Sequence, residues 1–250
     1  MEIISILTVS LISFFVSIIG VSMGGVSLIT IPALIWLGMA PKNAIATNMF
    51  ALIFLSISGA VSFGKEMKVS RYKSLATLSA LTILGSFIGA NLVLAIDENI
   101  LKRIIAVIMF IIAASFFFTK DFGVRESKGQ ISKVKFFVGS LLVFILGIYG
   151  GFFSGGYVTL LSYVLILTFG LNFLRVAFIT KILNVFSSLV ACVFFYYHGL
   201  IDFYVGVPLA LCMSLGGFWG ARIAVTKGNL WIRKVFVVVV IALAVKLLAF

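Results

Sequence analysis

The sequence predicts an all-α polytopic membrane protein built from two inverted-topology repeats. Three observations predict it. Hydrophobic residues make up 63% of the 250 and charged residues 10%, with a mean hydropathy of +1.29, whereas a soluble domain is about half apolar and a quarter charged. Charge-free runs recur along the chain at lengths suited to a hydrocarbon core of about 30 Å. A set of landmarks returns after about 131 residues, and its basic loops change side between the two copies.

The runs are Ile3–Pro41, Asn43–Gly64, Ser74–Ile96, Ile104–Thr119, Phe136–Leu174, Ile182–Ile201, Phe203–Ala221 and Val235–Val245. Two of them, Ile3–Pro41 and Phe136–Leu174, hold 39 residues each, about 58 Å as one straight helix. Neither fits a single crossing, so each divides into two segments at a break. The breaks are visible as GVSMGG (Gly20–Gly25) and GGFFSGG (Gly150–Gly156). Each half is then a glycine-broken short-helix pair, either two short crossings or a re-entrant hairpin that dips and returns, followed by three transmembrane helices, about 8–10 membrane segments in all.

The repeat rests on landmarks that keep their order. Gly20, Gly24 and Gly25 match Gly151, Gly155 and Gly156; GSFIGA (Gly85–Ala90) matches GGFWGA (Gly216–Ala221); Lys102-Arg103 match Arg233-Lys234. Ala44 and Thr47 match Ala177 and Thr180 with a slip of two residues. Such ordered self-similarity indicates a duplication, with halves at 1–119 and 136–250 and a charged linker at 120–135. The loop at Lys65–Lys73 is basic while its counterpart, His198–Asp202, carries no Lys or Arg; Arg222–Lys234 is basic while its counterpart also carries Asp97 and Glu98. By the positive-inside rule the halves are inverted, the linker is cytoplasmic and both termini face outside.

Several function classes fall away. A net charge of +12 in a soluble chain would suggest nucleic acid, but these basic residues lie in short loops where they set topology, so no nucleic-acid partner is expected. Cys192 and Cys212 lie in apolar runs without metal-ligand spacing, and no cofactor or metal is indicated. An enzyme would need a nucleophile–base or acid–base pair, which one interfacial histidine (His198) and seven acids at ends and loops do not supply. The first run follows Glu2 rather than a basic stretch, and reads as retained structure rather than a signal peptide.

The two breaks are the candidate site. Irregular backbone at membrane depth needs protein or a water-lined cavity to satisfy it. The helix that resumes after a break offers unpaired N–H groups and the positive end of its dipole, and glycine lets an anion approach closely. The expected substrate-binding residues are Gly24, Gly25, Gly155 and Gly156, the flanking hydroxyls Ser22, Ser27, Ser154 and Thr159, and the embedded polar residues Thr47, Asn48, Thr180, Lys181 and Asn184. The glycines of GSFIGA and GGFWGA suit close helix packing instead. Lys181 has two readings, a partner for a bound anion or a lysine that snorkels to the cytoplasmic surface.

These residues resemble a known family. G-V-S-M-G-G-V-S-L-I-T-I-P-A-L (Gly20–Leu34) followed by A-I-A-T-N (Ala44–Asn48), then G-G-F-F-S-G-G-Y-V-T-L (Gly150–Leu160) and F-I-T-K (Phe178–Lys181), are similar to the sulfite exporter TauE/SafE family across essentially the whole chain. Met23 and Ser154 stand where members often carry a third consecutive glycine, and half two lacks a counterpart of Pro32. The resemblance implies a secondary transporter in the bacterial cytoplasmic membrane. It would move sulfite, an organosulfonate or a related small anion outward, with the lipid bilayer and the anion as its partners. A passive anion channel is the alternative. The cargo, the coupling ion and the oligomeric state are not readable from the sequence.

Overall fold

The computed structural model describes residues 2–64, 73–115 and 132–227. Among them the chain is helical throughout, with no strand: α1 Ile3–Met23, α2 Ser27–Trp36, α3 Pro41–Gly64, α4 Lys73–Ala95, α5 Glu98–Ser115, α6 Lys133–Phe152, α7 Tyr157–Phe169, α8 Phe173–Tyr197 and α9 Phe203–Lys227. Helices suit this sequence because they satisfy every backbone group within the segment, which a lipid-facing chain requires. Six of them (α1, α3, α4, α6, α8 and α9) are long and apolar enough to cross a membrane. The chain is a multi-pass membrane protein. The apolar run Val235–Val245 lies outside the described residues, as do the linker's first twelve residues; α6 begins within the expected linker, at Lys133.

Local chemistry sets the boundaries. Pro41 opens α3, where a missing N–H costs nothing. Asp97 caps α5, accepting from the Asn99 and Ile100 amides, and Asp202 caps α9 through Tyr204 and Val205. α5 shows one buried face, Leu101, Ile105, Met109 and Ile112, at helical spacing.

Each long apolar run does divide in two, but unequally. Its first arm has 21 residues in α1 and 20 in α6, long enough to cross, while its second has only 10 in α2 and 13 in α7. At 1.5 Å per residue the second arms reach about 15 and 20 Å. The expected pair of short helices is therefore one full-length helix and one short one. The sequence hid this because glycine marks where a helix stops and not how deep it has gone.

Contacts fix the helix directions. Asn43 reaches the Leu200 carbonyl at 3.0 Å, Asn184 reaches Ser56 at 2.7 Å, and Lys181 lies beside Gly59. As numbers rise on α3 they fall on α8, so these two run antiparallel. Gly206 of α9 faces Thr47 and Phe50, and Gly217 faces Leu55 and Ser58, so α9 runs with α3. Gly216 and Gly220 press on Phe14 and Ile18, so α1 runs with α9. Gly85 and Gly89 press on Phe144 and Ile148, so α4 runs with α6. Ser86–Ser187 and Phe87–Phe194 contacts align α4 with α8. Two sets of three result, α1, α3 and α9 in one direction and α4, α6 and α8 in the other. Lys42 donates to the Leu94 carbonyl at 2.8 Å, so the α4–α5 and α8–α9 connections share one end of the molecule.

The close pairs, α1 with α9 and α4 with α6, are made by glycine. A Cβ on Gly89 or Gly220 would fall inside contact distance of the backbone carbonyl of Ile148 or Ile18. This is packing by small residues, in which helix backbones approach without intervening side chains.

Candidate functional site

The first break forms because two glycines in succession adopt conformations other residues avoid. α1 stops at Met23; Gly24 and Gly25 have φ of 84° and 86°, and α2 starts at Ser27. At the second break Ser154 and Gly156 have φ of 63° and 77°. A serine in that region is uncommon, and the strain is held by its surroundings. Tyr149, one helical turn earlier, donates its hydroxyl to the Gly155 carbonyl, and its own carbonyl accepts from the Phe153 and Ser154 amides.

The two breaks meet. A Cβ on Gly24 would lie 2.8 Å from the amide nitrogen and the hydroxyl of Thr159 on α7. A Cβ on Gly155 would lie 2.9 Å from Leu28 on α2. With the repeat spacing of 131, Gly24 corresponds to Gly155 and Leu28 to Thr159, so the two contacts are the same contact made twice. Each break thus presses on the start of the short helix that follows the other break. Gly156 faces Ile112 of α5.

Polar side chains collect around this crossing in two clusters. In the first, Asn48 of α3 accepts from the Thr30 hydroxyl at 2.5 Å and donates to the Ser27 hydroxyl at 2.9 Å, tying α3 to α2. In the second, on α8, Lys181 is 1% exposed and its Cγ and Cδ lie against Gly59 of α3, with Val21 of α1 alongside. Asn184, one turn on, donates to the Ser56 hydroxyl at 2.7 Å. Its own carbonyl oxygen is buried and has no partner. Lys181 therefore does not extend to the surface here; its stem lies between helices.

Every one of the thirteen residues expected from the sequence is buried. Gly24, Gly155, Thr159 and Ser27 lie at or beside the crossing of the breaks; Asn48 reaches Ser27 from α3, and Lys181 and Asn184 lie on α8 against Gly59 and Ser56 of α3. Ser22, Gly25, Ser154 and Gly156 belong to the breaks themselves. Thr47 and Thr180 are used elsewhere. Thr47 accepts from the Asp202 amide at 3.1 Å, at the start of α9, and Thr180 donates to the Ala177 carbonyl of its own helix at 3.1 Å. Some backbone donors at the helix starts are also occupied: Leu28 and Ile29 bond to Gly25 and Val26, and Tyr157 to Ser154. Side chains, more than open amides, give this region its donors.

Sequence reasoning missed Thr30, Ser56, Tyr149 and Tyr157. Thr30 stands three residues after Ser27 on α2, a signal that one face of that helix is polar. Tyr157 is fully buried, with its ring beside Gly150 and its hydroxyl directed to Thr82 outside strict hydrogen-bonding geometry.

Charge in the interior is scarce. Among the described residues the acids Glu2, Asp97, Glu98 and Asp202 all stand at helix starts, and no group of three metal-ligating side chains forms. His198 caps the end of α8 on the surface, within 2.8 Å of the Phe194 carbonyl.

The family profile described as Sulfite exporter TauE/SafE matches residues 9–247. A relative from Haemophilus influenzae named "Probable membrane transporter protein" is 30% identical over 94% of this chain and 91% of its own length. One from Sinorhizobium sp, "Probable membrane transporter protein ORF9", is 31% identical over 90% of this chain and 85% of its own. The Escherichia coli protein "Probable membrane transporter protein YfcA" is 28% identical over 90% and 82%. No solved structure matches the chain.

Proposed function

Because the chain belongs to the sulfite exporter TauE/SafE family, we propose that it is a secondary transporter of a small sulfur-containing anion, working outward across a bacterial inner membrane. The observation that carries this reading is the crossing of the two breaks together with a buried lysine on α8 that has no acid near it among the described residues. A buried positive charge in a membrane interior is costly unless it is paired or faces water. An anionic cargo would supply that partner.

Alternating access around that crossing follows if the halves, 1–119 and 136–250, are inverted repeats. The helix directions support this. α1 and α3 run opposite to their counterparts α6 and α8, and α4 runs opposite to its counterpart α9. Each half packs its own first helix on the fourth helix of the other. Pairs so arranged suit a pseudo-two-fold relation through the α3–α8 contact, the geometry in which two halves can exchange roles around one site.

Topology is tested by labelling single cysteines, with Cys192 and Cys212 replaced by serine. Leu200→Cys should react from outside, whereas Lys68→Cys and Lys128→Cys should react only after the membrane is opened. Reaction of all three from the same side would remove the inverted arrangement. Function is tested in liposomes loaded with sulfite or an organosulfonate. Saturable uptake accelerated by anion on the opposite side indicates a carrier. Conductance that rises without saturation indicates a passive anion channel and overturns the proposal.

A further inference from the structure

The cluster on α8 constrains the charge of its ligand, given the anion-transport reading above. Lys181 and Asn184 stand three residues apart, about 4.5 Å along the helix, on the face turned to α3. Gly59 makes the room. A Cβ there would lie 3.2 Å from the Lys181 stem, so glycine lets the lysine lie flat against α3. Asn184 is 2% exposed, holds Ser56 through its nitrogen, and leaves its carbonyl oxygen without a donor.

The other basic side chains described, including Lys42, Lys102, Arg103, Lys133, Lys135, Arg175 and Arg222, stand near helix ends and are exposed or only partly buried. Among the described residues the first half supplies no second buried cation, and Asn48 occupies the position of Lys181. One positive charge neutralises one negative charge. A dianion would leave a net negative charge in a low-dielectric interior, where an unpaired ion is strongly disfavoured. The orphan carbonyl oxygen adds a second requirement. A buried acceptor without a donor costs free energy, and a simple oxoanion offers only acceptors to it.

We propose that this site selects a singly charged oxoanion carrying a hydrogen-bond donor of its own. The anionic oxygens meet the Lys181 ammonium, and a hydroxyl or protonated oxygen on the ligand fills the Asn184 carbonyl. The buried amide of half one, Asn48, is closed on both sides by Ser27 and Thr30, whereas Asn184 has Ser56 on its nitrogen and no donor on its oxygen.

Sulfonates test this cleanly because their charge does not change with pH. Binding of 2-hydroxyethanesulfonate, ethanesulfonate and ethane-1,2-disulfonate to the purified full-length protein is measured by calorimetry. The hydroxylated monoanion should bind at least fivefold more tightly than ethanesulfonate. The disulfonate should bind at least tenfold more weakly than ethanesulfonate. Asn184→Leu should erase the ratio between the first two. Equal or tighter binding of the disulfonate overturns the proposal, as does the absence of a hydroxyl preference in the unaltered protein. A preference that survives Asn184→Leu overturns the role of Asn184. If sulfite, sulfate and all three sulfonates fail to bind, the anion-transport reading falls with it.

Discussion

Gly89→Ala and Gly220→Ala are each expected to remove most of the folded protein recovered from membranes, and by similar amounts. A single methyl group suffices because its neighbour is backbone. At Gly89 it would overlap the Ile148 carbonyl and the Phe152 amide nitrogen, and at Gly220 the Ile18 carbonyl and α-carbon. A side chain could swing aside, but a helix backbone must move as a body, so α4 and α6, or α1 and α9, separate along their length. Overpacking a tight core costs about 1–3 kcal/mol, and separated helices lose dispersion contacts as well. Gly206→Ala is the control. Its methyl would sit 3.2 Å from the edge of the Phe50 ring, which can yield. Retention of fluorescence-tagged protein as a single peak in detergent, against temperature, measures all three. Normal recovery of Gly89→Ala and Gly220→Ala would mean that the helices are less close than described.

Lys181→Met is expected to lower anion affinity tenfold or more while leaving the fold intact. Methionine retains much of the stem that packs on Gly59 and removes the ammonium. Hydrogen bonds to charged groups contribute about 1.5–3 kcal/mol, and 1.4 kcal/mol is already tenfold. The unliganded variant should be as stable as the parent or more so, because a buried charge with no acid beside it among the described residues has been removed. Those opposite signs, weaker binding with undiminished stability, distinguish a ligand-facing lysine from a structural one. Calorimetric affinity together with melting temperature reads both. Unchanged affinity would leave the anion to the break glycines and hydroxyls.

The spans were legible because charge-free runs are a property of composition, and solvent sorts composition first. The breaks were legible for a related reason: a 39-residue apolar run cannot be one helix, and three glycines in six residues say where it yields. The facing of individual side chains was not. Thr47 and Asn48 are neighbours in sequence and both matched the repeat, yet successive residues on a helix point about 100° apart. One therefore turns to the α8–α9 connection and the other to α2. Lys181 and Asn48 likewise occupy matching positions, yet Asn48 is closed by Ser27 and Thr30 of α2 whereas Lys181 lies against Gly59 of α3. The polar pair on α2 stands in the sequence, but it carries meaning only once that short helix is known to pack on α3.

Tyr149 clamps the second break through its hydroxyl and its carbonyl, and its counterpart in the first half is the apolar Ile18. One break carries this tyrosine clamp and the other has an apolar residue at the matching position. In a cycle whose halves trade places, unequal stiffness makes one reorientation slower than the other, so inward and outward turnover have different ceilings when cargo is plentiful. It does not create a preferred direction. A cycle with unequal barriers still carries no net flux when the electrochemical potential of the cargo is the same on both sides. If the cycle exports an anion, net flux must come from a gradient, that of the anion itself or of an ion moving with it, and the tyrosine clamp would bear only on how fast that gradient is spent.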